Sequence, residues 1–390
     1  MAATTVHLGA TERVMLGQPA ADAVAAEAER LGARKVFLLA SGHLQRETEE
    51  IRWIEAALGA RHAVTHVGIR PHVPLGDVIE AADAARNADV DLIVTVGGGS
   101  VIDASKLMLL ALKHDLRVPD AFASFRTRVA ATGEVIVPTF EEPDIGIVCV
   151  PTTLSGGEFS AIAGGTDEQA KLKSIYEHRR MAPISVVLDP AITRHTPEWL
   201  WLSTGIRAVD HAVEALASFH SNYFCDGIAD SALRLLADGL PRAKADPTDL
   251  DARARCQVGA WQSMIPITAG VPMGGSHAIG HILGGTFNVA HGHTSCVMAP
   301  HVLEWNLPVN AERQRRISAC MGAPDRPAHE LVHALIRQLG MPRTLREVGV
   351  EAEMLPLIAE HTLKDVWARS NARPLTRSED VLSILQMALH

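Results

Sequence analysis

The 390-residue sequence predicts an α/β N-terminal half built on a parallel sheet, followed by an all-α C-terminal half. Three observations carry this reading. As far as Pro190, short unbroken apolar runs alternate with Ala-rich amphipathic stretches. Strands buried on both faces read as such runs, and their alternation with helices implies βαβ units. Beyond Pro190 strand signals nearly vanish and helical periodicity takes over. The length suits two or three domains, and the change of texture places a boundary near residue 195, giving 1–195 and 196–390.

Four segments are candidate strands: "KVFLLAS" (35–41), "VDLIVTV" (90–96), "DIGIVCVPTT" (144–153) and "ISVVLDP" (184–190). "QPAADAVAAEAERLG" (18–32) and "LGDVIEAADAARNAD" (75–89) are the helices expected between them. The stretch 117–143 fits neither period and reads as an insertion, a β-hairpin or flap. Past the boundary, "TPEWLWLSTGIRAVDHAVEALASFH", "CDGIADSALRLLADGLPRAKA" and "LDARARCQVGAWQSMIPITAG" keep helical periodicity, and "SEDVLSILQMAL" closes the chain on another amphipathic helix.

Composition narrows the function classes. Apolar residues make up 47% and charged residues 21%, the balance of a soluble globular protein. The formal charge is −9, no Lys/Arg run stands out and aromatics are only 4%, so nucleic acid is not an expected partner. Cys149, Cys225, Cys256, Cys296 and Cys320 are odd in number and form no CxxC, which suits free thiols in a reducing cytoplasm. "MAATTVHLGATERVML" has no basic segment ahead of an apolar one, so no signal peptide is expected. No apolar run approaches the ~18 residues of a membrane span, so no membrane partner is expected either.

"DLIVTVGGGSVIDASKLMLL" (91–110) is the most informative stretch of the first half. A buried strand runs into Gly97, Gly98, Gly99 and Ser100, then into a helix. Glycines admit a ligand close to the backbone, and a helix N-terminus offers free N–H groups to a phosphate. The spacing is not GxGxxG, and a bare triple glycine serves equally as a tight turn. Asp103 and Lys106 at fixed offsets shift the reading towards a ligand. "PTTLSGGE" (151–158) is a second Gly/Ser/Thr loop after a strand, whose hydroxyls suit the same ligand.

In the second half, "GGSHAIGHILGGTFNVAHGHTSCVMAPH" (274–301) holds His277, His281, His291, His293 and His301. His277 and His281 lie four apart and point one way from a helix, Gly284 and Gly285 break it, and His291 returns. Imidazole is a common ligand of zinc and iron. With His211 on another helix, convergence on one site is expected. His293 and His301 are read as structural hydrogen-bonders. Arg207 stands four residues before His211, on the same face, where a metal site calls for a carboxylate.

The blocks "GGGSVIDASK", "PTTLSGGE", "VVLDP", "HAVEALAS", "SHAIGHILGGTFNVAHG" and "NARPLTRSEDVLSILQMAL" resemble, in order and over nearly the whole chain, the iron-containing (group III) alcohol dehydrogenase superfamily. "PTTLSGGE" and "HAVEALAS" look closest to maleylacetate reductases, which reduce an unsaturated oxo-diacid in aromatic-ring degradation. The resemblance implies a dinucleotide-binding α/β domain, a helical domain, an active site in the cleft between them, and a homodimer or larger assembly. It implies NAD(H) or NADP(H) as cofactor, held by Gly97, Gly98, Gly99 and Ser100 with Asp103 behind, by Thr152, Thr153 and Ser155, by Ser41, and by Lys173 on the nicotinamide side. It makes His211, His277 and His291 three ligands of a divalent metal, iron or zinc, and His281 a proton donor.

Three departures bear on the chemistry. Arg207 holds the place of the family's fourth ligand, an Asp. Asp210, adjacent to His211 on the helix, is not expected to share its face. The maleylacetate reductases lack an Asp at position 103 and carry Asn at 207. Ser41 stands where NAD-preferring relatives place an acidic group, so NADP is not barred. Exchanging −1 for +1 at ~4 Å and an effective dielectric of ~20 costs several kcal/mol of metal affinity. The expected reaction is hydride transfer between a nicotinamide and a carbonyl or alcohol of a small, carboxylate-bearing substrate. Arg207 takes over part of the metal's task, and His281 or a water provides the proton. Three alternatives stand: Arg207 merely pairs with Asp210; the chain is a metal-dependent alcohol or aldehyde dehydrogenase; or it is a non-catalytic NAD-binding protein with a decayed site.

Overall fold

The computed structural model describes residues 5–129, 135–170 and 172–390. The chain divides into two compact units, Gly9–Thr196, and Pro197–His390 with Met1–Leu8.

The first unit is a parallel six-stranded sheet of β1 (Arg13–Leu16), β2 (Val36–Ala40), β3 (His62–Val67), β4 (Leu92–Gly97), β7 (Gly146–Pro151) and β10 (Ser185–Leu188) in the order β1-β10-β7-β4-β2-β3. Four of these are the strands predicted from apolar runs. The other two, β1 and β3, are the sheet edges. β1 has one buried position and β3 none, so no unbroken apolar run announces them. Helices α1 (Ala20–Arg30), α2 (Gly42–Glu47), α3 (Glu50–Leu58), α4 (Leu75–Ala88) and α5 (Gly99–Lys113) fill the crossovers among the first four strands and after β4. Val24, Leu38, Ile54, Val94, Val148 and Val187 share one core cluster.

The insertion contains the short antiparallel pair β5 (Arg128–Val129) and β6 (Val135–Ile136), while residues 130–134 lie outside the described set. A second antiparallel hairpin, β8 (Ile162–Asp167) with β9 (Leu172–Glu177), follows "PTTLSGGE". It was not anticipated, because its first strand, "IAGGTD", carries two glycines and little apolar character.

The second unit is helical: α6 (Glu198–Ala217), α7 (Tyr223–Ala245), α8 (Leu250–Thr268), α9 (Gly275–Phe287), α10 (His291–Cys320, kinked at Asn310), α11 (Ala328–Gln338), α12 (Leu355–Thr362) and α13 (Ser378–Met387). α6 is buried along nearly its whole length. A central helix enclosed on all sides has no exposed face on which to park charge, so its charged side chains must find partners inside. All five cysteines are free and buried. Among the described residues, no helix is long and apolar enough to cross a membrane.

Candidate functional site

Two constellations carry the predicted residues, one in each unit. In the α/β unit the sheet order reverses between β2 and β4, and open parallel sheets bind ligands at the carboxyl ends of strands at such a point. Ser41 follows β2 and donates its backbone N–H to Val96 O at 2.8 Å. Gly97 ends β4, Gly98 caps α5, and Gly99 and Ser100 begin it. A Cβ at Gly97 would meet Val101 Cγ2 at 2.9 Å and Ser41 Cβ at 3.4 Å. At Gly98 it would meet Thr153 Cγ2 at 3.0 Å, and at Gly99 Ser155 Oγ at 3.3 Å. The glycines therefore let three loops close around the α5 N-terminus, a packing reason beyond ligand approach. Thr152 N–H bonds Gly97 O at 3.0 Å, and the Thr153 and Ser155 hydroxyls lie 3.3 Å apart.

Asp103, one turn into α5, accepts from Gly164 N–H at 3.1 Å. The Lys173 side chain passes the same glycine, its Cε 3.1 Å from where a Cβ would stand. Burial raises the Asp103 carboxyl, against the pull of Lys106, the Gly164 N–H and Lys173. Lys106 is fully buried and donates to Gly157 O at 2.6 Å and Ile162 O at 2.8 Å, so it staples the second loop to α5 rather than facing a ligand. A dinucleotide phosphate fits here: the helix N-terminus is ringed by hydroxyls, and side chains would fill the space next to it. Glu158, in the same loop and 2% exposed, went unassigned in the sequence, and burial pushes it up to about 7.

In the helical unit, α6 presents Arg207, Asp210, His211 and Glu214. Their spacing of three, four and seven makes one stripe. Glu214 acts as the cap of α9. Its carboxylate accepts from Gly274 N–H, Ser276 N–H and His277 Nδ1, each at 2.8 Å. Anions sit well at helix N-termini, which explains a glutamate at this depth. Asp210 Oδ2 accepts from Ser276 Oγ and Ser295 Oγ at 2.7 Å each and lies 3.4 Å from His277 Nδ1. Arg207 Nη1 donates to Ser295 Oγ at 3.1 Å, its single hydrogen bond among the described residues.

Two expectations are thereby corrected. Arg207 makes no direct ion pair with Asp210, because the Ser295 hydroxyl lies between them. Asp210 does belong to the cluster, since it is three residues from Arg207 and four from Glu214, even though it is adjacent to His211.

Burial and mutual repulsion raise Asp210 to about 7, and burial raises Glu214 to about 7. Burial lowers His211 and His277 well below the usual imidazole value, with Arg207 acting in the same direction on both. The cluster thus contains a fixed guanidinium, two carboxyls that resist ionising together, and two neutral imidazoles.

Among the described residues, the one group of three with metal-ligating atoms within 4.8 Å of one another is Asp210, Glu214 and His277. The expected triad is not gathered this way. His211 and His277 are close, with ring centroids 4.9 Å apart. His291 begins α10 and packs on Gly284, its Cε1 2.9 Å from where a Cβ would stand. The donor set fits a divalent ion poorly. Both Glu214 oxygens and Asp210 Oδ2 are committed to N–H and O–H groups, and the fourth position holds a cation.

His281, the next turn along α9, places Nδ1 2.8 Å from Asp365 Oδ2, while its ring lies against Trp367 at 4.8 Å. Asp365 is fixed by accepting from Trp367 N–H at 2.9 Å. The sequence carried no signal for Asp365. It lies 84 residues from His281, in a segment without periodicity.

Comparison with known proteins identifies the family. Residues 11–190 match the family "Iron-containing alcohol dehydrogenase", and residues 201–389 match "Fe-containing alcohol dehydrogenase family, C-terminal". The chain belongs to the iron-containing alcohol dehydrogenase family and is an oxidoreductase of that family. It is 34% identical to maleylacetate reductase 2 of Cupriavidus pinatubonensis over 96% of this chain and 94% of that one. To maleylacetate reductase 1 of the same organism it is 30% identical, over 93% and 91%. The crystal structure of an iron-containing alcohol dehydrogenase from Corynebacterium glutamicum superposes with a TM-score of 0.83 at 26% identity, covering 100% of this chain and 98% of that one.

Proposed function

We propose that this protein is an NAD(P)H-dependent reductase of a small, carboxylate-bearing unsaturated oxo acid of the maleylacetate type, and that it works without a catalytic metal. The observation that carries the reading is Arg207. It is a cation one turn before His211, it spends one N–H on Ser295, and among the described residues its Nε and Nη2 make no hydrogen bond. Such a fork grips a carboxylate in bidentate fashion or stabilises an oxyanion. The Ser295–Asp210 relay keeps the guanidinium in place.

The cofactor rests on residues 97–100, Thr152, Thr153 and Ser155, with Ser41, Asp103 and Lys173 around it. Ser41 brings no carboxylate to the end of β2, so a 2′-phosphate meets no repulsion there, and NAD(H) and NADP(H) both suit. The reduced nicotinamide, when bound, supplies a hydride. Whether hydride is accepted at a carbonyl carbon or at the conjugated alkene, negative charge gathers on the carbonyl oxygen, and Arg207 is the group that offsets it. His281 gives a proton from Nε2 while Asp365 holds Nδ1 and stabilises the imidazolium.

The 34% identity to maleylacetate reductase 2 supports the substrate class. The buried Asp210, Glu214 and His277 group favours a second reading, a metal-dependent alcohol dehydrogenase. One experiment separates the two: NADH and NADPH oxidation with maleylacetate and with a panel of simple aldehydes, before and after exhaustive chelation, with the metal content measured. Turnover of maleylacetate that survives chelation is expected. Stoichiometric metal whose removal abolishes turnover, or turnover of aldehydes alone, would overturn the proposal.

A further inference from the structure

Away from the α6 stripe, the helical unit holds a second convergence of imidazoles. α10 and α11 border a cavity of about 270 Å³ lined by His301, Glu304, His329, Glu330, His333 and Arg337. His329 and His333 stand at i and i+4 on α11, so both point from one face. Pairs of histidines at that spacing hold zinc on helices. His301 and Glu304 stand at i and i+3 on α10 and line the same cavity.

Two of these imidazoles have a buried ring nitrogen left over for a ligand. Nδ1 of His301 and Nδ1 of His329 are buried and have no hydrogen-bond partner among the described residues. A buried polar atom left in that state is costly, and a Lewis acid answers a ring lone pair. Burial, with His333 and His329 near by, pushes His301 down to about 4, and burial also lowers His333. Both are therefore neutral at pH 7, the form that binds metal. Arg326 is paired with Glu330 at 3.4 Å. Glu304 then offsets Arg337, so the lining brings no net charge against a cation.

We propose that His301, His329 and His333, with Glu304 as a fourth ligand, bind one zinc-class divalent ion and so staple α11 to α10. Three imidazoles and one carboxylate suit the tetrahedral preference of zinc. The ring nitrogens stand further apart than the donor atoms of Asp210, Glu214 and His277, which lie within 4.8 Å. Closure on an ion takes side-chain rotation, for which the cavity leaves room. Taken from the sequence, His301 is a structural hydrogen-bonder. The facing pair on α11, about 30 residues on, changes that reading.

The test uses the full chain, stripped with a chelator and dialysed, then titrated with zinc chloride by calorimetry and with cobalt(II) followed by its visible d–d absorption. One ion per chain is expected, with a higher thermal unfolding midpoint in zinc because the ion binds only the folded state. His301→Ala with His333→Ala should weaken this binding by about tenfold or more and remove the thermal shift. His211→Ala with His277→Ala should leave both. Should the first double variant fail to fold, Glu304→Gln with His329→Gln reads the same site from other ligands. Unchanged zinc binding in these cavity variants, its loss in His211→Ala with His277→Ala, or only weak, non-saturating uptake by the parent would each overturn the proposal. The titration uses no substrate or nicotinamide, and a second ion that only His211→Ala with His277→Ala removes would overturn the metal-free reductase reading and leave this site standing.

Discussion

The glycine cradle of the α/β unit and the charged stripe of the helical unit are built by opposite means. The cradle is made of backbone. Gly97, Gly98 and Gly99 carry no side chains, and the loops around Ser41, Thr153 and Ser155 close into the space this leaves. The stripe is made of side chains. Arg207, Asp210 and Glu214 from α6 meet Ser276 and His277 from α9 and Ser295 from α10 through charge-assisted hydrogen bonds. A backbone site keeps its chemistry through most substitutions nearby. A side-chain site can exchange a metal ligand for a fixed cation at one position while its scaffold persists.

The largest expected effect breaks the stripe at that position. Arg207→Ala should lower kcat/KM for the acidic substrate by about 10²–10³-fold, the usual cost of removing one oxyanion-stabilising donor. Arg207→Lys should recover little, because an ammonium cannot reproduce the guanidinium fork. Steady-state kinetics with maleylacetate checks this, and a loss under tenfold for Arg207→Ala would mean the cation only balances charge. Next comes Glu214→Ala, which leaves Gly274 N–H, Ser276 N–H and His277 Nδ1 without their acceptor. Each buried group left unpaired costs about 1–3 kcal/mol, so denaturant unfolding at pH 7 should show a loss of about 3 kcal/mol. Glu214→Gln should lose less, since its carbonyl oxygen still accepts.

The same contrast explains what was legible in the sequence. Four sheet strands and the glycine loop are local features: an unbroken apolar run and a turn are written in consecutive residues. The edge strands β1 and β3 are half-exposed and carry no such run. Residues of the stripe were visible on α6, and so was His277, but the hydroxyl partners were not. Ser276 lies 66 residues from Asp210 and Ser295 lies 85, so only tertiary packing decides that hydroxyls, rather than Arg207, reach that carboxylate. The face argument against Asp210 failed because a stripe of residues three and four apart is wider than one side chain. Asp365 was illegible for the same reason, since its meaning comes entirely from His281.

Glu158 sharpens the comparison from the α/β side, as a buried carboxyl with no metal or substrate role assigned to it. Burial raises it from 4.5 in the unfolded chain to about 7 in the fold. The native state therefore holds a proton that the unfolded chain releases, so stability is full below pH ~4.5 and is lost as the pH rises towards 7 and above. The full shift sets a ceiling near 3 kcal/mol, and a loss on the order of 2 kcal/mol between pH 5 and 8 is expected. Glu158→Gln should flatten that slope relative to the parent in unfolding measured across this range. An identical slope in the variant would place the titration elsewhere, in Asp210 and Glu214.

The smallest effect concerns a cradle position where a side chain, not backbone, sets the chemistry. Ser41 Cβ lies 3.4 Å from where a Gly97 Cβ would stand, at the mouth of the sheet's switch point. On the proposed cofactor placement, Ser41→Asp would set a carboxylate where it can bind a ribose 2′-hydroxyl and repel a 2′-phosphate. At an effective dielectric of ~20 a single like-charge contact costs a few kcal/mol at most, and solvent at this half-buried edge screens much of it. The ratio of kcat/KM for NADH over NADPH should therefore rise by about tenfold, with kcat for NADH unchanged and the gain shrinking at high salt. A rise in the ratio that ignores ionic strength would mean that the aspartate acts by reshaping the loop rather than by its charge. The cradle would then be as dependent on side chains as the stripe is.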